Sequence, residues 1–460
     1  MGQYAVASLF DLSALSRTGL HGALDHPRTL ACLRLEFQAP EDALGCPILT
    51  DKLLSGVRSL KFEGSGDGVE LTRLVPKVPR LRELDLERTT LTTTDFLAGW
   101  HDLRTLRMTN CANCSDFVGG LQTLDLRACS PVSGHLGDLR TLKLHGCFMT
   151  GITHMSSTLQ SLDLRNARWG STGWTLDRLC ELTSLRELTL FRCETLDNAN
   201  AAGIGRLKDL HTLVLVECFN VNDFSFLAEL PNLRSLTVPY IANFPVLPRL
   251  NLESLTFPSV SIVNVDNLSL VGSQTNLKFL SAASYLHSHT FFDPHPILHE
   301  LLPKLPSLHT LDLSNWAALQ FFPPCPSVRQ LVVDNCKAIR DNELLMLGVS
   351  FPNLEALGAA NTSITDIGLG ALQFHLPSLK HLDISQCTIS EEGLKSLTGL
   401  TGLQSLNISN CGVMPTFTPE TVKLLGMRNF SLLDRASQAN LKARGVEVVG
   451  DRTFRARFFA

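Results

Sequence analysis

From residue 30 onward one short pattern returns along the chain: an apolar residue, two variable ones, Leu, one variable residue, an apolar residue. It reads LACLRL at Leu30, VRSLKF at Val57, LRELDL at Leu81 and LRTLRM at Leu103. Further copies begin at Leu121, Leu139, Leu159, Leu185, Leu210, Leu233, Leu252, Leu277, Leu308, Val328, Leu354, Leu379, Leu403 and, more weakly, Met427, which makes about eighteen. Apolar residues at the fourth and sixth positions alternate with variable ones, the signature of a short strand with one buried face. A single strand of this kind cannot bury that face alone. Copies must therefore stack into a parallel sheet over one continuous core.

This array resembles the leucine-rich repeat family over nearly the whole chain. The resemblance implies an α/β solenoid, curved, with parallel strands on its concave face and helices or short turns on its convex face. At 460 residues an ordinary globular chain divides into several domains, whereas a repeat core grows along one axis. We therefore expect residues 1–29 as an N-terminal cap, 30–433 as repeats with an insertion at 284–306, and 434–460 as a C-terminal cap and tail.

Spacing sets the return segments. Copies at 103, 121 and 139 are followed after 18 to 20 residues, too few for a strand and a full helix, so an extended or 3₁₀ return is expected. Copies at 30, 57, 185, 328, 354, 379 and 403 are followed after 24 to 27 residues, room for a helix of two to three turns. The segments IRDNELLMLG from Ile339, ITDIGLGALQ from Ile364 and ISEEGLKSLTGL from Ile389 carry polar helix-start residues ahead of an apolar face. Near the end, RASQANLKARG followed by VEVV reads as a last helix and an edge strand. The closing DRTFRARFFA alternates Arg and Phe and is open to two readings, a tail packed on the cap or a docking peptide.

Cys111 and Cys114 form a Cys-x-x-Cys pair, a spacing used by metal sites and redox couples alike. The repeat decides between those roles and a structural one. Cys111, Cys129, Cys147, Cys193, Cys218, Cys336, Cys387 and Cys411 all occupy the ninth position of their copies, eight of thirteen cysteines. The family places Asn or Cys there to satisfy backbone groups as the chain leaves the strand. Neighbours spaced by about 4.8 Å suit neither a disulfide nor a tetrahedral metal. The thiols are expected to be structural, with Cys114 an ordinary residue of a return loop and the compartment a reducing one, cytoplasmic by default or nuclear.

Other apparent motifs are weak. Gly64, Gly66 and Gly68 lack the dinucleotide spacing. His287, His289, His295 and His299 lie in the longest interval, 31 residues from Leu277 to Leu308, where Pro294 and Pro296 favour a surface loop and a contact point for a partner. No metal site, cofactor site or catalytic set is expected, so the chain reads as a non-enzyme. A net charge of -4 argues against direct nucleic-acid contact and against an anionic membrane surface. The opening MGQYAVASLFDLSALSR has no charged stretch ahead of an apolar core, so no secretory signal is expected.

Function in a solenoid is carried by the variable strand positions. The fifth position runs Arg34, Lys61, Asp85, Arg107, Asp125, Lys143 and Asp163, a self-neutralising ladder of cross-strand pairs. From Leu185 onward the stripes turn apolar. Phe191, Val214, Val216, Pro239, Tyr240, Pro258 and Phe279 are the candidate partner-binding residues. Asp312, Asp334 and Asp383 beyond them would form a charged rim. Either the 284–306 insertion or the C-terminal tail folding over this band is the competing expectation.

The function expected is a scaffold or adaptor that binds a protein or multiprotein complex. The ninth-position cysteines are similar to those of the cysteine-containing subfamily, which implies a substrate-recognition subunit of a ubiquitin ligase as one alternative, although no F-box pattern precedes Leu30. A structural or assembly subunit of a ribonucleoprotein complex is the other.

Overall fold

A computed structural model of the chain describes residues 34–37, 43, 54–64, 68–89, 94–112, 114–117, 120–169, 175–238, 250–258, 271–283, 295–412, 419–427 and 435–459. The expected cap at 1–29 lies outside the described residues, as do His287 and His289. Two compact units are present, Met1–Asn232 and Leu233–Ala460.

In the first unit the sheet is built from the repeat pattern, one strand per copy. Its strands are Arg34–Phe37, Ser59–Phe62, Glu83–Glu87, Thr105–Thr109, Thr123–Arg127, Thr141–His145, Ser161–Arg165, Glu187–Phe191 and Thr212–Val216. Each pairs in parallel with the next, and the registers align fourth position with fourth, as in Leu84↔Leu106 and Leu188↔Leu213. The fourth and sixth side chains point into the core: Leu60, Phe62, Leu84, Leu86, Leu188 and Leu190 are all fully buried.

Return segments follow the spacing. Longer copies carry the helices Gly68–Leu74 and Asn198–Ile204 and the 3₁₀ turn Leu176–Glu181. Short copies return extended, and their returns Cys114–Ser115, Val132–His135 and Phe148–His154 pair in parallel into a second sheet, which Arg168–Trp169 of the following, longer copy extends. Cys114 is thus not a loop residue but a fully buried strand residue, because three consecutive short returns stack in the same way as the strands they leave.

In the second unit the strands shorten to three residues, from Ser235–Thr237 through Thr310–Asp312, Ala356–Gly358 and Ser405–Asn407 to Glu447–Val449. The helices Asp341–Ser350, Asp366–His375 and Glu391–Ser396 fall on the segments whose polar starts predicted them. Thr365 and Ser390 cap the last two by accepting bonds from Ile367 and Glu392. In the C-terminal region Arg435–Ala443 is a helix and Glu447–Val449 pairs with Leu424–Gly426.

How the chain turns off each strand explains the repeat's eighth and ninth positions. Arg88, Asn110, Ala128, Asn166, Arg192 and Glu217, then Asn315, Asn335, Asn361, Gln386 and Asn410, all adopt φ between 51° and 67° at the eighth position. This left-handed conformation favours Asn among non-glycine residues. At the ninth, the thiol turns under the sheet and donates to the sixth-position carbonyl one copy earlier. Cys129 reaches Met108 O at 3.4 Å, Cys218 Leu190 O at 3.4 Å, Cys336 Leu313 O at 3.3 Å and Cys411 Ile384 O at 3.0 Å. Where a copy has Thr instead, as at Thr89 and Thr362, its hydroxyl meets the next copy's cysteine.

The described cysteines are all free, and burial raises Cys147 to about 11 and Cys411 to about 12. Cys180 alone among them is more than marginally accessible. A thiol reagent added to native protein should therefore modify Cys180 first among these eleven, leaving the rest for denaturant. Prompt native labelling of Cys147 or Cys411, read by peptide mass mapping, would contradict the buried ninth position.

Candidate functional site

Fifth and seventh positions face away from the core, so they define what each unit can offer a partner. In the first unit, register places Asp163, Thr189 and Val214 side by side, and Arg165, Phe191 and Val216 beside them. Thr189, Phe191, Val214 and Val216 are half-buried and retain solvent access, while the Leu residues between them are fully buried. The Arg192 guanidinium lies 5.4 Å from the Phe191 ring centroid and its Nε pairs with Glu217, so one side of that ring is already engaged.

The stripe is bounded by charge. His145 Nε2 is 3.2 Å and Arg165 Nε 2.9 Å from the Asp163 carboxylate. Burial pushes the Asp163 carboxyl up, but the bonds from His145 and Arg165 outweigh it and hold the group below its ordinary range. The register does set opposite charges next to each other along the fifth position, as in Arg107↔Asp125 and Asp125↔Lys143. The closest bonds, however, run within a strand: Arg127 grips Asp125 at 2.9 Å from two residues on.

The remaining candidates lie in the second unit. Phe279 stands between Ser254 and Thr310 in the ladder and is half-buried, as is Pro258 two residues beyond the Ser254–Thr256 strand. Pro239 and Tyr240 lie outside the described residues. His295 and His299 sit on the helix His295–Leu301, where the His295 ring packs on Phe321, 5.2 Å between centroids. Among the described residues no group of three or more His, Cys, Asp or Glu side chains could hold a metal ion. Nor, among them, is any helix long and apolar enough to cross a membrane.

Sequence reasoning missed the most elaborate feature of the second unit. Of the two readings of the closing segment, a packed tail or a docking peptide, it packs, and does so as a helix, Asp451–Phe458, laid across the outward positions of the preceding strands. Asn407 Nδ2 donates to Asp451 at 2.7 Å, and the Phe458 ring stacks on His381 with centroids 4.1 Å apart. Gln330 donates to the Phe458 carbonyl, and Phe454 is fully buried. Arg455 reaches Asp383 at 3.1 Å and also pairs with Asp334, 121 residues away in the chain.

Asp334 and Asp383 are consequently buried beneath Arg455 and are not the exposed charged rim expected, while Asp312 bonds Ser281 and Ser314. Burial pushes both aspartates above the ordinary carboxylate range, only partly offset by Arg455. The legible signal was Phe454 and Phe458 at helical i, i+4 spacing behind Gly450 and Asp451.

On the opposite side of this unit the helices Asp341–Ser350 and Asp366–His375 expose Met346, Val349, Ile367 and Phe374, the last two more than three-quarters accessible. These were not anticipated, because repeat patterning marks the strand and says little of the returning helix.

Comparison with known proteins agrees with this geometry. The Leucine Rich Repeat family model matches residues 378–400. TLR13 in its complex with ssRNA13 superposes with a TM-score of 0.50 at 16% identity, covering 88% of this chain and 71% of that one. The fold is a leucine-rich-repeat solenoid. Two further solved structures are similar at lower scores. A protein of Leptospira interrogans has a TM-score of 0.36 at 18% identity, covering 94% of this chain and 98% of its own. An internalin of Listeria monocytogenes has 0.35 at 17%, covering 80% and 92%. No curated protein matches the chain significantly.

Proposed function

We propose that the chain is a non-enzymatic interaction scaffold or adaptor, and that it holds a protein partner on the outward face of its first unit. The observation that carries this reading is the stripe Thr189, Phe191, Val214 and Val216. These residues keep solvent access on a face where the fifth positions of the strands from Ser59–Phe62 to Ser161–Arg165 are all charged. Apolar surface beside a fixed charged edge suits a partner with an apolar anchor and a polar rim. Pro239, Tyr240, Pro258 and Phe279 are a candidate contact of the second unit, to be tested by itself. The free, buried thiols favour a reducing compartment such as the cytoplasm.

A ubiquitin-ligase substrate receptor is the second reading, favoured by the ninth-position cysteines and their bonds under the sheet. It requires co-purification with a cullin-type adaptor. A ribonucleoprotein subunit is the third; the likeness to TLR13 in its complex with ssRNA13 gives it a reason to be tested by nuclease treatment of the purified complex.

Affinity purification tests the main reading. A chain carrying Phe191→Ala with Val216→Asp should lose its partner while melting within a few degrees of wild type. A chain carrying Ile367→Asp with Phe374→Asp, exposed on helices of the second unit, should keep it. Loss from the second variant alone would overturn the stripe and assign binding to the helical face.

A further inference from the structure

Within the second unit the C-terminal helix covers a surface whose chemistry it does not fully satisfy. Asp383, Asn407 and Ser409 are fully buried and Asp334 nearly so, yet a single guanidinium faces both carboxylates. The Ser409 hydroxyl and His381 Nδ1 are buried with no hydrogen-bond partner. Buried polar atoms left unbonded each cost free energy, and a permanent structural lid would be expected to satisfy them. The lid is also short, eight residues hinged at extended Gly450, and a helix of that length is not stable by itself in water. It stays folded only while it is docked.

We propose that this surface is a binding site for a peptide segment of a protein partner that carries two arginines beside an aromatic ring, and that the Asp451–Phe458 helix is its intramolecular occupant. The second arginine would supply the cation that the Asp334–Asp383 pair lacks. An aromatic ring would take the place of Phe458 on His381, with a polar group of the incoming segment reaching His381 Nδ1. The resident helix and the partner compete for one surface. The helix therefore sets a threshold that a partner must exceed, and the proposal does not depend on the stripe of the first unit.

The test uses the full-length chain and a fluorescent synthetic peptide of residues 451–460 as probe. In the Arg455→Ala chain the resident helix loses both ion pairs, so the peptide should bind it at least about tenfold more tightly than it binds wild type, where the surface is occupied. The same peptide carrying Arg455→Ala should bind neither chain. Failure of the unmodified peptide to bind the folded Arg455→Ala chain overturns the proposal.

Hydrogen exchange on the wild-type chain provides an arm that needs no variant. Amides of residues 454–459 should exchange through local opening, well before those of the His381–Asp383 and Ser405–Asn407 strands. Exchange of helix and strands together would make the helix an integral cap and overturn the exchangeable occupant. A dimer that swaps this helix between two copies, seen by size-exclusion chromatography, would likewise overturn occupancy within one chain.

Discussion

Arg455→Ala should lower the stability of the second unit by about 3 kcal/mol at neutral pH. Removing one partner of a buried ion pair leaves an uncompensated charge, and here it leaves two, Asp334 and Asp383. The value sits at the low end for such losses because the helix can lift at Gly450 and let water reach the carboxylates. Arg455→Lys should recover only part of the loss, since an ammonium lacks the planar fork that spans both aspartates.

The pH dependence has a definite sign. Burial already places both carboxyls above their unfolded values in the wild type, and losing Arg455 raises them further. A carboxyl raised in the folded state contributes stability at low pH that is lost as pH rises through the folded value. The gap between Arg455→Ala and wild type should therefore be widest near neutrality and narrow as pH falls toward about 4, where the unfolded aspartates also bind protons. Urea melts at both ends of that window read it directly. A gap that widens on acidification would mean that the aspartates are charged and unstrained in the fold.

Phe351→Ala should cost the second unit about 3 to 5 kcal/mol. The ring is fully buried and meets Phe322 edge-on with centroids 5.2 Å apart, just past the C-terminal end of the Asp341–Ser350 helix. Removing it opens a cavity between a return helix and the strands it covers. Because each repeat is stabilised by its neighbours, the defect should also weaken coupling along the array and reduce the denaturant slope. A loss below about 1 kcal/mol would show that the helix collapses into the space and that packing there is loose.

How much of this was legible in the sequence differs by position within the repeat. The first, fourth and sixth residues are apolar in copy after copy, and only stacking can bury them, so the parallel strands followed from the pattern. Cys129, Cys218 and Cys336 were legible for the same reason: a residue at a fixed place in each copy meets the same backbone carbonyl one copy earlier. Spacing alone predicted the extended returns after Leu103, Leu121 and Leu139. It did not show that three of them in succession would pair into a second sheet and bury Cys114. Of the candidate site, the stripe of Phe191, Val214 and Val216 was readable because register follows from the repeat.

What covers the outward positions was not readable. Asp383 sits at the same repeat position as Asp125 and Asp163, yet it is sealed with Asp334 under Arg455 while those two are bonded along or beside their own strands. The sequence by itself determined the strands, their order and the thiol-lined turns, because those rest on contacts between adjacent copies a fixed distance apart. Only the tertiary structure decided that a helix from the end of the chain lies over Gln330, His381 and Asn407. That contact joins residues with no fixed spacing, through side chains the core does not constrain, and no local period encodes it.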